Sequence, residues 1–525
     1  MRDLAARTDL AGAIESAVPS LCFSACSRWL FWVWRDENAR PCRVYRRPAR
    51  GGGDVLVYEE PDSGMFLDVG LTADRSHVLI EATNQETSEV RVISSADPTA
   101  PPQIVEPRRA GHRYSLDRWD GRWVIRTNDE GAVDFKLMQS GGELPTRETW
   151  RELVAHKAGR LIAYFAPYRR FLARLERENA CDRVIVRSLR GEERAITFDE
   201  PAYALSLEPG FAYDTDVTRF VYQSPSTPRR WFDYDMATGE RVLRKAQEIP
   251  SGHDPDRYET QRLYASAPDG QQVPITILKL KSTPLDGSAP MLLYGYGAYG
   301  FAQEATFSIR APSLVDRGWI WAIAHIRGGS DKGWGWFLAG RRERKANTFS
   351  DFIACAEHLV ASGYTRAGRI AALGGSAGGM LMGAVANLRP DLWGAVIAAV
   401  PFVDVLNTMS DASLPLTPPE WPEWGNPLQS AEDYDVIASY SPYDNVRAQA
   451  YPPILATGGL ADPRVTWWEP EKWVARLRDR ATGGGPTLLK INMEAGHAGA
   501  SGRFDFLKEI ALEFAFAIWA IERRA

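Results

Sequence analysis

The chain has 525 residues, 45% of them hydrophobic and 25% charged, with a net charge of −5. That length allows two or more domains with sizeable cores, and the balance is ordinary for a globular protein. The mild acidity argues against nucleic acid as a general partner and is compatible with cationic ligands. In chain order, the start Met1-Arg2-Asp3-Leu4 carries no apolar run of signal-peptide length, and no uncharged stretch is long enough to cross a bilayer. Cys22 and Cys26 follow without a second ligand pair at metal spacing, so no metal or other cofactor is expected. With Cys42, Cys181 and Cys355 they make five scattered cysteines, which read as reduced thiols in a cytoplasmic setting.

From residue 20 to about 250 the chain is written in short apolar runs separated by Gly, Pro, Asp and Asn. One phrase recurs: a small residue, a basic residue, then an apolar strand. It appears at Ser27-Arg28-Trp29, Ser76-His77-Val78, Gly121-Arg122-Trp123, Gly159-Arg160-Leu161 and Thr218-Arg219-Phe220. A second strand follows each time, at 43–46, 90–93, 134–138, 184–186 and 231–234. The spacing, roughly 40–60 residues, is that of a four-stranded propeller blade. The alternative is a β-sandwich with coincidental phrasing, and the repeat separates the two.

Beyond about residue 255 strands alternate with helices, which means an α/β domain around a largely parallel sheet. Strands are expected at 275–280, 291–294, 319–325, 370–373, 395–400, 454–457 and 488–493, with helices at 350–362 and 503–521. Ser251 to Pro255 reads as the junction, which gives domains 1–252 and 253–525. The basic cluster Arg341 to Lys345 reads as a solvated loop.

Leu373-Gly374-Gly375-Ser376-Ala377-Gly378-Gly379-Met380 spells a nucleophile elbow. The apolar run before it reads as a strand and the run after it as a helix. G-x-S-x-G between them forces a turn too tight for side chains beside the serine. A serine hydroxyl needs a base, and the base needs an orienting carboxylate. His497, between glycines after the last strand, is the one histidine downstream of Ser376. Asp462, after the strand at 454–457, is the best acid. Asp404 also follows a strand and stays open as the alternative.

These phrases resemble the oligopeptidase B branch of the prolyl oligopeptidase family of serine peptidases. The resemblance is densest in Asn347 to Phe352, Gly374 to Met380, Val400 to Val405, Glu423 to Pro427, Tyr440 to Val446, Asp462 to Val465 and Trp468 to Pro470. It implies a seven-bladed propeller beside an α/β-hydrolase domain. It also implies Ser376, Asp462 and His497 as the triad, with Asp462 preferred over Asp404. Tyr296, in Tyr294-Gly295-Tyr296-Gly297-Ala298-Tyr299-Gly300, matches the oxyanion tyrosine, partnered by the backbone N–H of Ala377. Glu420 falls on the leading acid of a pocket for Arg or Lys, while that pocket's second acid is replaced by Pro422. Glu423 has no pocket role by this resemblance. Of a second pocket's paired aspartates, Glu304 and Thr306 stand in, so one acid remains. Arg464 matches an arginine that holds a substrate carbonyl.

The expected fold is therefore an α/β-hydrolase peptidase domain plus an incomplete, about five-bladed, all-β propeller. Residues 1–17 resemble a mid-propeller strand and turn, so nearly two blades and a packing segment of the relatives are expected to be absent. The expected activity is cleavage of short basic peptides after Arg or Lys, in the cytoplasm, with neither nucleic acid nor membrane as partner. A general acyl esterase on the same triad, or a silent fragment acting as a binding module, are the alternatives. The acid at Glu420 argues against the esterase, which gains nothing from it.

Overall fold

A computed structural model describes residues 2–3, 8–9, 14–210, 212–502 and 504–523. Most of the expectation for residues 1–17 lies outside the described residues. Within it, Arg2–Asp3 pairs antiparallel with Thr8–Asp9. The helix expected from Arg503 begins at Asp505, and Arg503 itself lies outside the description.

The N-terminal half is built from five four-stranded antiparallel sheets, spanning 17–59, 66–104, 114–154, 160–196 and 204–246. Within each sheet every strand bonds to the next in the chain. Successive sheets pack face to face, because alternate residues of one strand serve two cores. In the strand His77–Thr83, Val78 and Ile80 face the first sheet and join Phe31, Val33 and Val44. Leu79 points the other way and joins Trp123 and Ile125 of the third sheet. This two-sided use of the three inner sheets is propeller logic, and it is why their apolar runs are continuous rather than alternating.

The recurring phrase marks the second strand of four sheets. In the fourth sheet it marks the first strand, Arg160–Pro167, and the strand after it, Phe171–Glu178, is not anticipated. That strand reads Phe-Leu-Ala-Arg-Leu-Glu-Arg-Glu. Its charges are buried in pairs, Arg174 with Glu176 at 2.8 Å and Arg177 with Asp182 at 2.8 Å, so its polar spelling hides an interior strand.

The C-terminal half is one eight-stranded sheet. Its strands are β1 (Tyr258–Ser266), β2 (Gln272–Leu280), β3 (Met291–Tyr294), β4 (Ile320–Ala324), β5 (Ile370–Gly375), β6 (Trp393–Ala399), β7 (Ile454–Gly459) and β8 (Thr487–Asn492). The order is β1-β2-β4-β3-β5-β6-β7-β8. The pairs β1/β2 and β2/β4 are antiparallel and the rest are parallel. β1 is an edge strand of mixed polarity and is the one strand of this sheet that the apolar runs do not announce.

The sheet is covered on both faces. Helices α1 (Ala346–Ala361) and α2 (Ala377–Leu388) bury Phe352, Leu359, Leu381 and Val385 on one side, and α4 (Trp468–Arg480) adds Trp473 and Leu477 to the same core. On the other side α5 (Asp505–Glu522) buries Phe514, Ala517 and Ile521. A shorter helix, α3 (Thr417–Trp424), lies in the connection between β6 and β7. No helix among the described residues is long and apolar enough to cross a membrane.

Polar contacts join the two halves. Trp334 N–H donates to Asp134 at 2.5 Å, Arg262 donates to the Ala180 carbonyl at 2.7 Å, and Ala180 N–H donates to the Asp331 carbonyl at 2.7 Å. Arg341, expected in a solvated loop, is instead buried and pairs with Glu86 of the propeller, and Lys345 of the same cluster is fully buried. Only the middle of that cluster, at Glu343 and Arg344, is exposed.

Candidate active site

Three parallel strands deliver three side chains to one edge of the sheet, beyond their C-terminal ends. Ser376 follows β5, Asp462 follows β7 and His497 follows β8. Ser376 stands at the turn between β5 and α2 with φ 58° and ψ −120°. That strained backbone requires bare neighbours: a Cβ on Gly374 would collide with the Gly378 carbonyl, and one on Gly379 with Pro401. Tyr299 (φ 59°) and Val400 (φ 41°), on the loops after β3 and β6, are also left-handed without being glycine.

His497 Nδ1 donates to Asp462 Oδ2 at 2.7 Å, which leaves Nε2 to accept from the Ser376 hydroxyl at 3.1 Å. The Asp462 carboxylate is buried, and its other oxygen accepts from the backbone N–H groups of Arg464 at 2.8 Å and Val465 at 3.0 Å. A hydroxyl, an imidazole and a carboxylate in that order can move a proton from oxygen to nitrogen and return it. Asp404 is not part of this line: it pairs with Lys472 and accepts from Asn407 at 2.6 Å.

Ala377 is the first residue of α2, so its backbone N–H has no intrahelical acceptor and stands beside the serine. The Tyr296 hydroxyl reaches Ser376 from the loop after β3. Burial raises its pKa, so it remains a neutral donor through the physiological range.

A cavity of 490 Å³ opens at Ser376, walled by Tyr296, Tyr299, Phe301, Phe402 and Met409 and carrying Glu420 and Arg464. Glu420 Oε2 accepts from the Tyr299 hydroxyl at 2.5 Å and from Trp424 Nε1 at 2.8 Å. Among the described residues no donor reaches Oε1. Burial raises the pKa of Glu420, opposed by these two donors and by the charge of Arg464. The Arg464 side chain is exposed and makes no ion pair among the described residues.

Glu304 is placed differently. It is absent from the wall of this cavity, and its carboxylate accepts from Arg177 of the propeller at 2.5 Å. Thr306 lines a separate space of about 10 Å³ beside Pro225 and Ala311. Tyr299 and Trp424, which orient Glu420, were not singled out from the sequence, although both sit inside recognised phrases. Gln85, which reaches the cavity from the propeller, had no sequence signal at all.

A nucleophile-elbow serine, an imidazole and a buried carboxylate on an α/β sheet, beside a propeller, define the class of α/β-hydrolase serine peptidases with a propeller domain. Comparison with known proteins agrees. Residues 305–523 match the prolyl oligopeptidase family, and residues 1–247 match its N-terminal beta-propeller domain. The chain is 40% identical over 513 residues to dipeptidyl aminopeptidase BI of Pseudoxanthomonas mexicana, covering 97% of this chain and 70% of that one. It is 38% identical to protease 2 of Moraxella lacunata, covering 95% and 72%. Oligopeptidase B from Leishmania major superposes with a TM-score of 0.91 at 37% identity, covering 97% and 72%. Oligopeptidase B from Trypanosoma brucei with covalently bound antipain, in a closed form, gives 0.91 at 36%, covering 97% and 74%. The chain belongs to the prolyl oligopeptidase family and is a serine peptidase.

Proposed function

We propose that the protein cleaves short peptides after Arg or Lys through a covalent acyl-enzyme. Ser376 Oγ attacks the scissile carbonyl carbon while His497 Nε2 takes its proton. Asp462 holds the imidazole in the required tautomer and stabilises the imidazolium. The carbonyl oxygen becomes an oxyanion, received by the Tyr296 hydroxyl and the Ala377 N–H. The imidazolium gives its proton to the leaving amine as the C–N bond breaks. Water, deprotonated by the same imidazole, then hydrolyses the ester and regenerates the serine.

The observation that carries the basic specificity is Glu420. It sits in the Ser376 cavity, steadied by Tyr299 and Trp424, with Oε1 left for a ligand. A guanidinium or ammonium matches a partly desolvated carboxylate, which is costly to leave unpaired. Arg464, at the cavity mouth, is the donor for a substrate backbone carbonyl. Glu304 is engaged by Arg177, which supports selection for one basic residue rather than two.

The test compares an arginyl amide with an uncharged ester in wild type and Glu420→Ala. A loss confined to the arginyl substrate is expected. Equal losses on both would make Glu420 structural, and an ester-only activity would favour the esterase. A second reading, release of dipeptides from a free amino terminus, is suggested by the name of the 40%-identical relative. Amino-blocked and amino-free versions of one arginyl substrate separate the two, since only an endopeptidase accepts the blocked form.

A further inference from the structure

Tyr296 and Tyr299 stand on one loop, Gly295 to Gly300, that leaves β3. Their hydroxyls face the cavity, one toward Ser376 and one onto Glu420. The underside of the loop is held at two backbone atoms. Lys345 Nζ donates to the Gly297 carbonyl at 2.5 Å and more weakly to the Gly340 carbonyl at 3.3 Å. Tyr299 N–H donates to Glu423 Oε1 at 2.8 Å. Gly297 has φ 74° and lies so close to Thr348 that a Cβ there would collide, so the loop rests directly on α1. Neither Lys345 nor Glu423 lines the Ser376 cavity, and both are fully buried.

Such burial is costly for charged groups that make no close ion pair with each other. Burial draws the Lys345 ammonium down to about 8 and raises the Glu423 carboxyl. The groups facing Glu423 are Lys345 and Arg341, which favour its charge, and Glu420, which opposes it. Glu423 Oε2, the Tyr440 hydroxyl and Arg341 Nη1 are buried without a partner. The arrangement is therefore poor as a stability device, while both of its good hydrogen bonds go to the loop that carries the tyrosines.

We propose that Lys345 and Glu423 are positioning residues, clamping the Tyr296–Tyr299 loop from beneath at the Gly297 carbonyl and the Tyr299 amide so that the Tyr296 hydroxyl is fixed at the oxyanion. This rests on the reading of Tyr296 given above. It adds two residues that touch no substrate and that the sequence leaves without a role.

The test is a mutant cycle on the uncharged ester, which does not use Glu420. Lys345→Met and Glu423→Leu should each lower kcat about 10- to 100-fold, up to the value of one oxyanion donor, with KM little changed. Glu423→Gln and Lys345→Arg, which keep the acceptor and the donor, should stay within a few-fold of wild type. In a Tyr296→Phe background, Lys345→Met should cost almost nothing further, because the group it positions is gone. Should a single variant fail to fold, the charge-free double variant Lys345→Met/Glu423→Leu replaces it in the same cycle. If Tyr296→Phe is crippled but Lys345→Met costs the same factor in both backgrounds, the clamp is wrong and the oxyanion reading stands. Full kcat in Tyr296→Phe would instead overturn the oxyanion reading and the clamp with it.

Discussion

Two glutamates, Glu420 and Glu304, are both expected to be pocket acids, and the structure treats them oppositely. Glu420 accepts from two neutral donors, Tyr299 and Trp424, and lines the Ser376 cavity. Glu304 is met by a cation of the protein's own, Arg177, whose other nitrogen is held by Asp182 at 2.8 Å. A carboxylate set by neutral donors still needs a counter-charge, whereas one already facing a guanidinium does not. Possessing the acid is thus not enough to make a basic pocket, and the partner the fold gives it decides.

The largest effect expected around this comparison lies in the machinery both pockets would serve. Asp462→Asn should reduce kcat by about 10³–10⁴ on every substrate, because the imidazole loses its orienting carboxylate. Steady-state kinetics on an arginyl amide and a neutral ester check it. A loss on one substrate alone would place Asp462 in recognition instead.

Next is Glu420→Ala, expected to lower kcat/KM for arginyl substrates about 10²-fold, since an unpaired buried charge costs ~2–5 kcal/mol. The neutral ester should hardly change. The pH dependence sharpens this. The free-enzyme pKa of Glu420 is raised by burial, and a bound guanidinium favours its charged form. Binding of a basic substrate should therefore weaken as pH falls through that raised value, above the usual carboxylate range. The ratio of arginyl to neutral kcat/KM should show this limb, and Glu420→Gln should abolish it. A ratio independent of pH would remove Glu420 from recognition.

The smallest effect concerns Glu304. Arg177→Gln should free its carboxylate and raise kcat/KM several-fold for substrates with a second basic residue before the cut, relative to a neutral one there. An unchanged preference would show that Glu304 lies beyond the reach of substrate even when unpaired.

The difference between the two acids was not legible in the sequence, and the reason is physical. Ser376 and His497 were readable from local phrases, an elbow that needs glycines and a loop after an apolar strand, whereas Asp462 was separated from Asp404, which also follows a strand, only by the family resemblance. The propeller was readable from a strand-opening phrase that recurs at blade spacing. The partner of Glu304 comes from Arg177, 127 positions away, on the charged strand that the apolar pattern could not announce. Gln85 and Glu86, at a hairpin tip of the propeller, reach the cavity and Arg341 by the same kind of long-range placement. Lys345 was misread for a related cause. Beside Arg341, Arg342 and Arg344 it looks solvated, yet the short turn at Arg342–Arg344 buries its ends and exposes its middle.

The central claim is that Ser376 is an activated nucleophile assembled with His497 and Asp462. Labelling of the folded protein with a fluorophosphonate, located by mass spectrometry, tests it most directly because it reports an assembled triad whatever the substrate. One label per chain is expected, on Ser376, with none on Ser376→Ala and much slower labelling of His497→Ala. A folded preparation that takes no label, or takes it elsewhere, would contradict the account.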